Sequence, residues 1–189
     1  MNESNKATRI TFTAVMAAMI YVLTMFRFPF LGSKLHFANA LCLLSGLLLG
    51  PVYGGLAAGL GSGLYDALAG GYGLVEALIT FVSKFAMAYV CGMIAHLAHE
   101  RKGKPDRTVL ACVAGALTYV ALYMLKTFIF NAFVYGYPLS TVGATMVSKL
   151  VPSLINAVFA FICAPIFYHA VVPALRKGGL LSHMSPDVE

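Results

Sequence analysis

The stretch FANALCLLSGLLLGPVYGGLAAGLGSGLYDALA, from Phe37 to Ala69, decides the fold. Its 33 residues carry a single charge, Asp66. As one helix rising about 1.5 Å per residue it would extend roughly 50 Å. That is too long for a hydrocarbon core about 30 Å thick and too short for two complete spans. Gly50-Pro51 lies near its middle. A proline inside a helix removes a hydrogen bond, and glycine supplies the turn, so the pair predicts a break into two short helices.

Four further apolar runs flank this stretch: Ile10 to Phe26, Leu74 to Ala98, Val109 to Phe133 and Val142 to Leu175. Over the 189 residues, 60% are hydrophobic, 11% are charged and none is Trp, with a mean hydropathy of +0.83. A soluble domain carries roughly 25% charged residues to cover its surface, so this chain turns most of its surface to lipid. Disorder, coiled coil and collagen are excluded by the dominance of apolar residues without heptad or three-residue period. A single membrane domain over residues 1–189 is expected.

The formal charge is +6. On a soluble chain it would raise the question of nucleic acid, but the cations flank the apolar runs. Lys6 and Arg9 precede the first run; Arg101, Lys102, Lys104 and Arg107 fill the one polar stretch in the middle; Arg176 and Lys177 follow the last. Short cytoplasmic segments of membrane proteins hold Lys and Arg in this way. The partner implied is a bilayer, not nucleic acid. If all three basic segments are cytoplasmic, an even number of spans separates each from the next. The expected fold is therefore an all-α integral membrane protein of six transmembrane helices, approximately 9–26, 37–50, 51–69, 74–98, 108–134 and 142–172, with both termini cytoplasmic. The outer loops are then Arg27 to His36, Gly70 to Gly73 and Tyr135 to Thr141. A cleaved signal peptide is the rival reading of the first run, but that run is long and Ala38-Asn39-Ala40 begins twelve residues beyond it.

Two stripes of small residues run along the third helix, Gly55-Gly59-Gly63 and Gly54-Ala58-Ser62-Asp66. Such patterns let another backbone approach closely, commonly within the bundle itself. Ala14, Ala17 and Ala18 form a smaller patch on the first helix that suits either internal packing or a partner subunit.

Charges inside apolar runs are expensive, about 2.5 to 3.5 kcal/mol each at the bilayer centre, and mark function by default. Five occur: Asp66, Glu76, Lys84, Lys126 and Lys149. In the six-helix topology all fall near the midplane or in the outer half. Glu76, Thr80, Ser83 and Lys84 share one helical face; Tyr119, Tyr123, Lys126 and Phe130 a second; Lys149, Ser153 and Asn156 a third. Turned toward one another, these faces make a pocket open to the outside, under the loop carrying Lys34 and His36. Asn39 and Asn131 join the candidate ligand-binding set. The competing reading makes Asp66 and Glu76 structural counter-ions of Lys84 and another lysine, although three lysines against two acids leave positive charge over. Cys42, Cys91, Cys112 and Cys163 lie in apolar runs without metal-ligand spacing and read as small hydrophobes. His96, His99, His169 and His183 read as interface residues at the cytoplasmic ends.

No P-loop, H-E-x-x-H or G-x-S-x-G pattern is present, and no evident repeat relates the two halves. The residues leave open a binding subunit, a stand-alone secondary transporter using Asp66 or Glu76 as a proton site, and a small intramembrane enzyme.

The stretches HFANALCLLSGLLLGPVYGGLAAGLGSGLYDALAGGYG and ITFVSKFAMAYVCGMIAH, with six helices and a basic cytoplasmic loop, resemble the substrate-binding S component of energy-coupling factor (ECF) transporters. The resemblance covers nearly the whole chain and implies a non-enzymatic subunit that binds a vitamin or modified nucleobase from outside. It implies as partners a transmembrane coupling protein and two ATPase subunits, which hydrolyse the ATP; no cofactor of the chain's own is expected. Ala14 and Ala18 match the family's AxxxA motif, implying that this face docks on the coupling protein. The site implied is built from the first outer loop and the last three helices. The central stretch looks like the branch linked to queuosine-precursor salvage, while Asn39 stands where many members have Asp.

Overall fold

A computed structural model of the chain describes residues 3–30, 33–99 and 107–180. Among the described residues there are five α-helices: α1 (Glu3–Met25), α2 (Ala38–Leu68), α3 (Gly73–His99), α4 (Thr108–Ile129) and α5 (Leu139–Lys177). Among the described residues all five are long and apolar enough to cross a membrane. Large side chains such as Val15, Val22, Leu78, Leu117 and Ile166 face outward, as a lipid-facing surface requires.

The all-α expectation needs one correction. Arg27–Phe30 (β1) and Ser33–His36 (β2) pair antiparallel, with Arg27 opposite His36, where a loop was expected. Four-residue strands give each face only two positions, too few for period-two alternation to be read from sequence.

The decisive stretch folds back on itself. Gly50 has φ 79° and ψ −178°, a backbone region essentially restricted to glycine. Pro51 then opens the second arm at the position where its missing N–H is harmless. Ser45 Oγ donates to Gly54 O at 3.0 Å, and Cys42 Sγ lies 3.9 Å from Ser62 Oγ. In a continuous helix those pairs would be about 14 and 30 Å apart. The arms 38–49 and 51–68 therefore lie antiparallel and in contact.

The small residues make that contact possible. A Cβ on Gly54 would meet Ser45 O at 2.5 Å and Gly46 Cα at 2.6 Å. The second stripe faces α3: Phe81 and Phe85 lie over Gly59 and Gly55, each with ring carbons 2.9 Å from where a Cβ would be. Phe81, Phe85 and Tyr89 stack along α3 at 6.2 and 5.7 Å between centroids. Gly61 takes α1, whose Ala17 O lies 2.5 Å from its virtual Cβ. Both stripes thus serve packing within the bundle, and the arm 51–68 is gripped from three sides.

Up-and-down succession places β1–β2, the Ala69–Tyr72 turn and the α4–α5 connection at one end. The Gly50 turn lies at the other. There the Arg9 guanidinium sits 5.7 Å from the Tyr53 ring, and His96 Nε2 lies 3.2 Å from Leu47 O. His96 therefore braces the turn, where the sequence suggested only an interfacial residue. Lys102 and Lys104, expected in the basic loop, fall outside the described residues.

Candidate functional site

Four elements carry polar side chains to a cavity of about 370 Å³ at the hairpin end. The arm beginning at Ala38 brings Asn39; α3 brings Glu76, Thr80, Ser83 and Lys84; α4 brings Tyr119, Tyr123 and Lys126; α5 brings Lys149, Ser153 and Asn156. Within α3, Glu76, Thr80, Ser83 and Lys84 recur at three- and four-residue spacing, so one face delivers them. The same holds for Tyr119, Tyr123 and Lys126 on α4 and for Lys149, Ser153 and Asn156 on α5. The three faces converge, and His36 at the end of β2 joins them.

Lys84 is buried, with 5% of its surface exposed. Its ammonium donates to Asn39 Oδ1 and lies 3.6 Å from the centroid of the Tyr119 ring. An amide oxygen and an aromatic face both favour a cation, but neither carries a full negative charge. Lys126 instead forms an ion pair with Glu76, joining α4 to α3, and its ammonium lies 5.6 Å from the Phe130 ring. Tyr119 and Tyr123 stack at 6.2 Å with their planes 21° apart, presenting aromatic surface beside these charges. The Asp66–Lys84 ion pair of the competing reading is not formed: Asp66 lines the cavity, and Lys84 takes Asn39.

The hairpin is latched to the site. His36 N donates to Asn156 Oδ1 at 2.8 Å. Phe37 extends the clasp, with Phe28 at 5.8 Å and Phe159 at 4.9 Å, both edge-on. Ser153 Oγ donates to Lys149 O at 2.7 Å, so its hydroxyl proton is spent within α5 while its oxygen remains able to accept.

Of the residues singled out from sequence, Asn131 does not reach the cavity. It sits in a wide π turn, Phe130–Val134, that continues α4, and its Nδ2 donates to Thr127 O at 2.6 Å. Its buried amide satisfies a carbonyl of its own helix, a local competition open to any asparagine four residues beyond a carbonyl. The Lys34 side chain lies outside the described residues; its backbone pairs with Pro29. Thr24, Ser62, Tyr72 and Ile79 also line the cavity although the sequence did not assign them to it. Ser62 was hidden in a small-residue stripe, and the Thr24 hydroxyl donates to Ile20 O at 2.7 Å, as packing threonines do.

A family model described as ECF-type riboflavin transporter, S component, matches residues 4–173. The chain belongs to that family. A solved structure of the S component of a bacterial ECF transporter superposes with a TM-score of 0.66 at 16% identity, covering 90% of this chain and 99% of that one. No curated protein sequence matches. This S component is thus a multi-pass membrane protein and a transport subunit, not an enzyme. Its outward α1 face carries Ala14 and Ala18, both exposed, on the side opposite the packed Thr13, Met16 and Ile20.

Proposed function

We propose that this S component is the high-affinity binding subunit of an ATP-driven importer and takes a planar heteroaromatic micronutrient into the cavity below the hairpin. The observation that carries the reading is the convergence of three polar helix faces on one cavity of about 370 Å³, within the range of about 300 to 1,000 Å³ common to small-molecule sites. The stacked Tyr119 and Tyr123 suit a flat ring. Riboflavin, in the family's description, is the first ring system to try, with pyridoxine-type compounds and queuosine precursors beside it.

In this reading the two arms of α2 are separate crossings, giving six, and both termini and the basic 101–107 segment are cytoplasmic. The hairpin end then faces outward, in the plasma membrane of a prokaryote. Ala14 and Ala18 dock on a transmembrane coupling protein, and two ATPase subunits hydrolyse ATP to drive release inward. Lys34, His36, Asn39, Glu76, Thr80, Lys84, Tyr123, Lys126, Lys149, Ser153 and Asn156 form the substrate-binding set.

Mass spectrometry of small molecules released from gently purified protein tests this directly, paired with uptake into liposomes with and without the coupling module. A stoichiometric ligand, and uptake only with the module and ATP, is the expected result. Uptake by the chain alone would instead make it a secondary transporter.

A further inference from the structure

The charges lining the cavity do not cancel, and their arrangement selects the ligand. Glu76 is taken by Lys126. Lys84 is left with a neutral amide and a ring face as its contacts, and Lys149, half-buried on α5, contacts no acid among the described residues. Asp66 is the remaining acid of the wall, and it forms no ion pair with Lys84 or Lys149 among the described residues. Two ammonium groups therefore face one carboxylate. An ammonium has three N–H donors; in Lys84 one points to Asn39 and another to the Tyr119 face, leaving one for an occupant.

We propose that the substrate carries a single negative charge, borne by a carboxylate or an equally monoanionic group, which offsets the surplus that Lys84 and Lys149 leave in the cavity. The proposal rests on the cavity being the substrate site. An uncompensated charge away from water is strongly disfavoured, and a ligand that brings the missing counter-ion relieves that penalty as it binds. A neutral ring leaves one positive charge uncompensated. A phosphate monoester, with roughly −1.5 to −2 charges at neutral pH, overshoots. A carboxylate balances the cavity and accepts charge-assisted hydrogen bonds from a lysine. Riboflavin itself, being uncharged, is then not the preferred ligand of this chain.

The test compares matched acids and neutral analogues on the purified full-length protein: nicotinate against nicotinamide, and pterin-6-carboxylate against 6-hydroxymethylpterin, with riboflavin as a third neutral ring. Affinities come from titration calorimetry or ligand fluorescence, and released ligand is identified by mass. The expected result is a released compound that is monoanionic at neutral pH, or acids binding at least about tenfold more tightly than their neutral partners. Asn39→Asp, which sets a carboxylate on Lys84, should lower the ratio of acid to neutral affinity about tenfold or more. A neutral released ligand, riboflavin or amides binding as well as the acids, or equal losses for both classes in Asn39→Asp overturns the charge proposal and leaves the binding function intact. Protein that releases no ligand and binds no member of the panel overturns the binding function, and the charge proposal with it.

Discussion

The two sides of this bundle are built on opposite principles. Around α2 the backbone is brought together by residues without side chains, and 78% of its most apolar window is buried inside the protein. Across the cavity, 33% of the corresponding window of α4 and 39% of that of α5 are buried, and these helices carry lysines, tyrosines and asparagine. Since lipid tails are as apolar as leucine, helices in a membrane are held mainly by close packing and hydrogen bonds. The glycine-rich side uses the first means and the cavity side the second. A floor of close-packed backbone and a polar wall follow, and the cavity lies along the seam.

The largest effect should come from filling the floor. Gly54→Leu places a side chain where the first carbon already meets Ser45 O at 2.5 Å, and that oxygen belongs to a backbone that cannot step aside. Overpacking usually costs about 1 to 3 kcal/mol, and more where backbone is the obstacle. The expected outcome is loss of monodisperse protein in detergent, or a large fall in thermal unfolding temperature. Gly143→Leu on α5, with nothing within 4 Å of its virtual Cβ, should be neutral by the same measurement. Equal behaviour of the two variants would break the contrast between floor and wall.

Next come the charges of the wall. Lys126→Ala removes a cation of the wall and leaves the Glu76 carboxylate without its partner. Loss of a part-buried charged hydrogen-bond partner is expected to weaken ligand binding by about 1 to 3 kcal/mol. The side chains are still 24% and 28% exposed, so the pair itself adds little to folding. Affinity should therefore fall while the unfolding temperature hardly moves. A drop in stability with affinity preserved would make the pair a strut between α3 and α4, with no part in the site.

Asn156→Ala is a smaller perturbation. It removes the acceptor that holds His36 N at 2.8 Å, a contribution of about 0.5 to 1.5 kcal/mol. The hairpin should become more sensitive to protease and ligand dissociation faster, while Asn156→Asp, which keeps the acceptor, should restore the latch. Identical proteolysis of the wild type and Asn156→Ala would show that the Phe37 clasp holds the hairpin unaided.

What could be read from sequence divides along the same line. The fold-back at Gly50-Pro51 was legible because only a few residue types permit that backbone, and the wall was legible because a charge in an apolar run is too costly to be accidental. Asn131 misled because an asparagine on a helix near a polar face looks the same whether it serves a ligand or its own backbone. The β1–β2 hairpin was too short to show a period, and Ser62 is a small residue in a stripe of small residues. The Lys126–Glu76 pairing, with Lys84 going to Asn39, depends on how α3 and α4 face one another, which spacing within either helix does not encode.

The smallest effect on the isolated protein should come from the outward face of α1. Ala14 and Ala18 point away from the packed Thr13, Met16 and Ile20, so leucine at either position meets no internal neighbour. Stability and ligand affinity should stay within about 0.5 kcal/mol of wild type, as for surface substitutions elsewhere. Uptake with the coupling module should nonetheless be abolished, because small residues on a membrane helix let a second helix approach and leucine holds it away. Pull-down of the module by the variant separates the alternatives: lost capture with intact ligand binding places the docking face here. Retained capture and uptake would return these alanines to the ordinary lipid-facing surface.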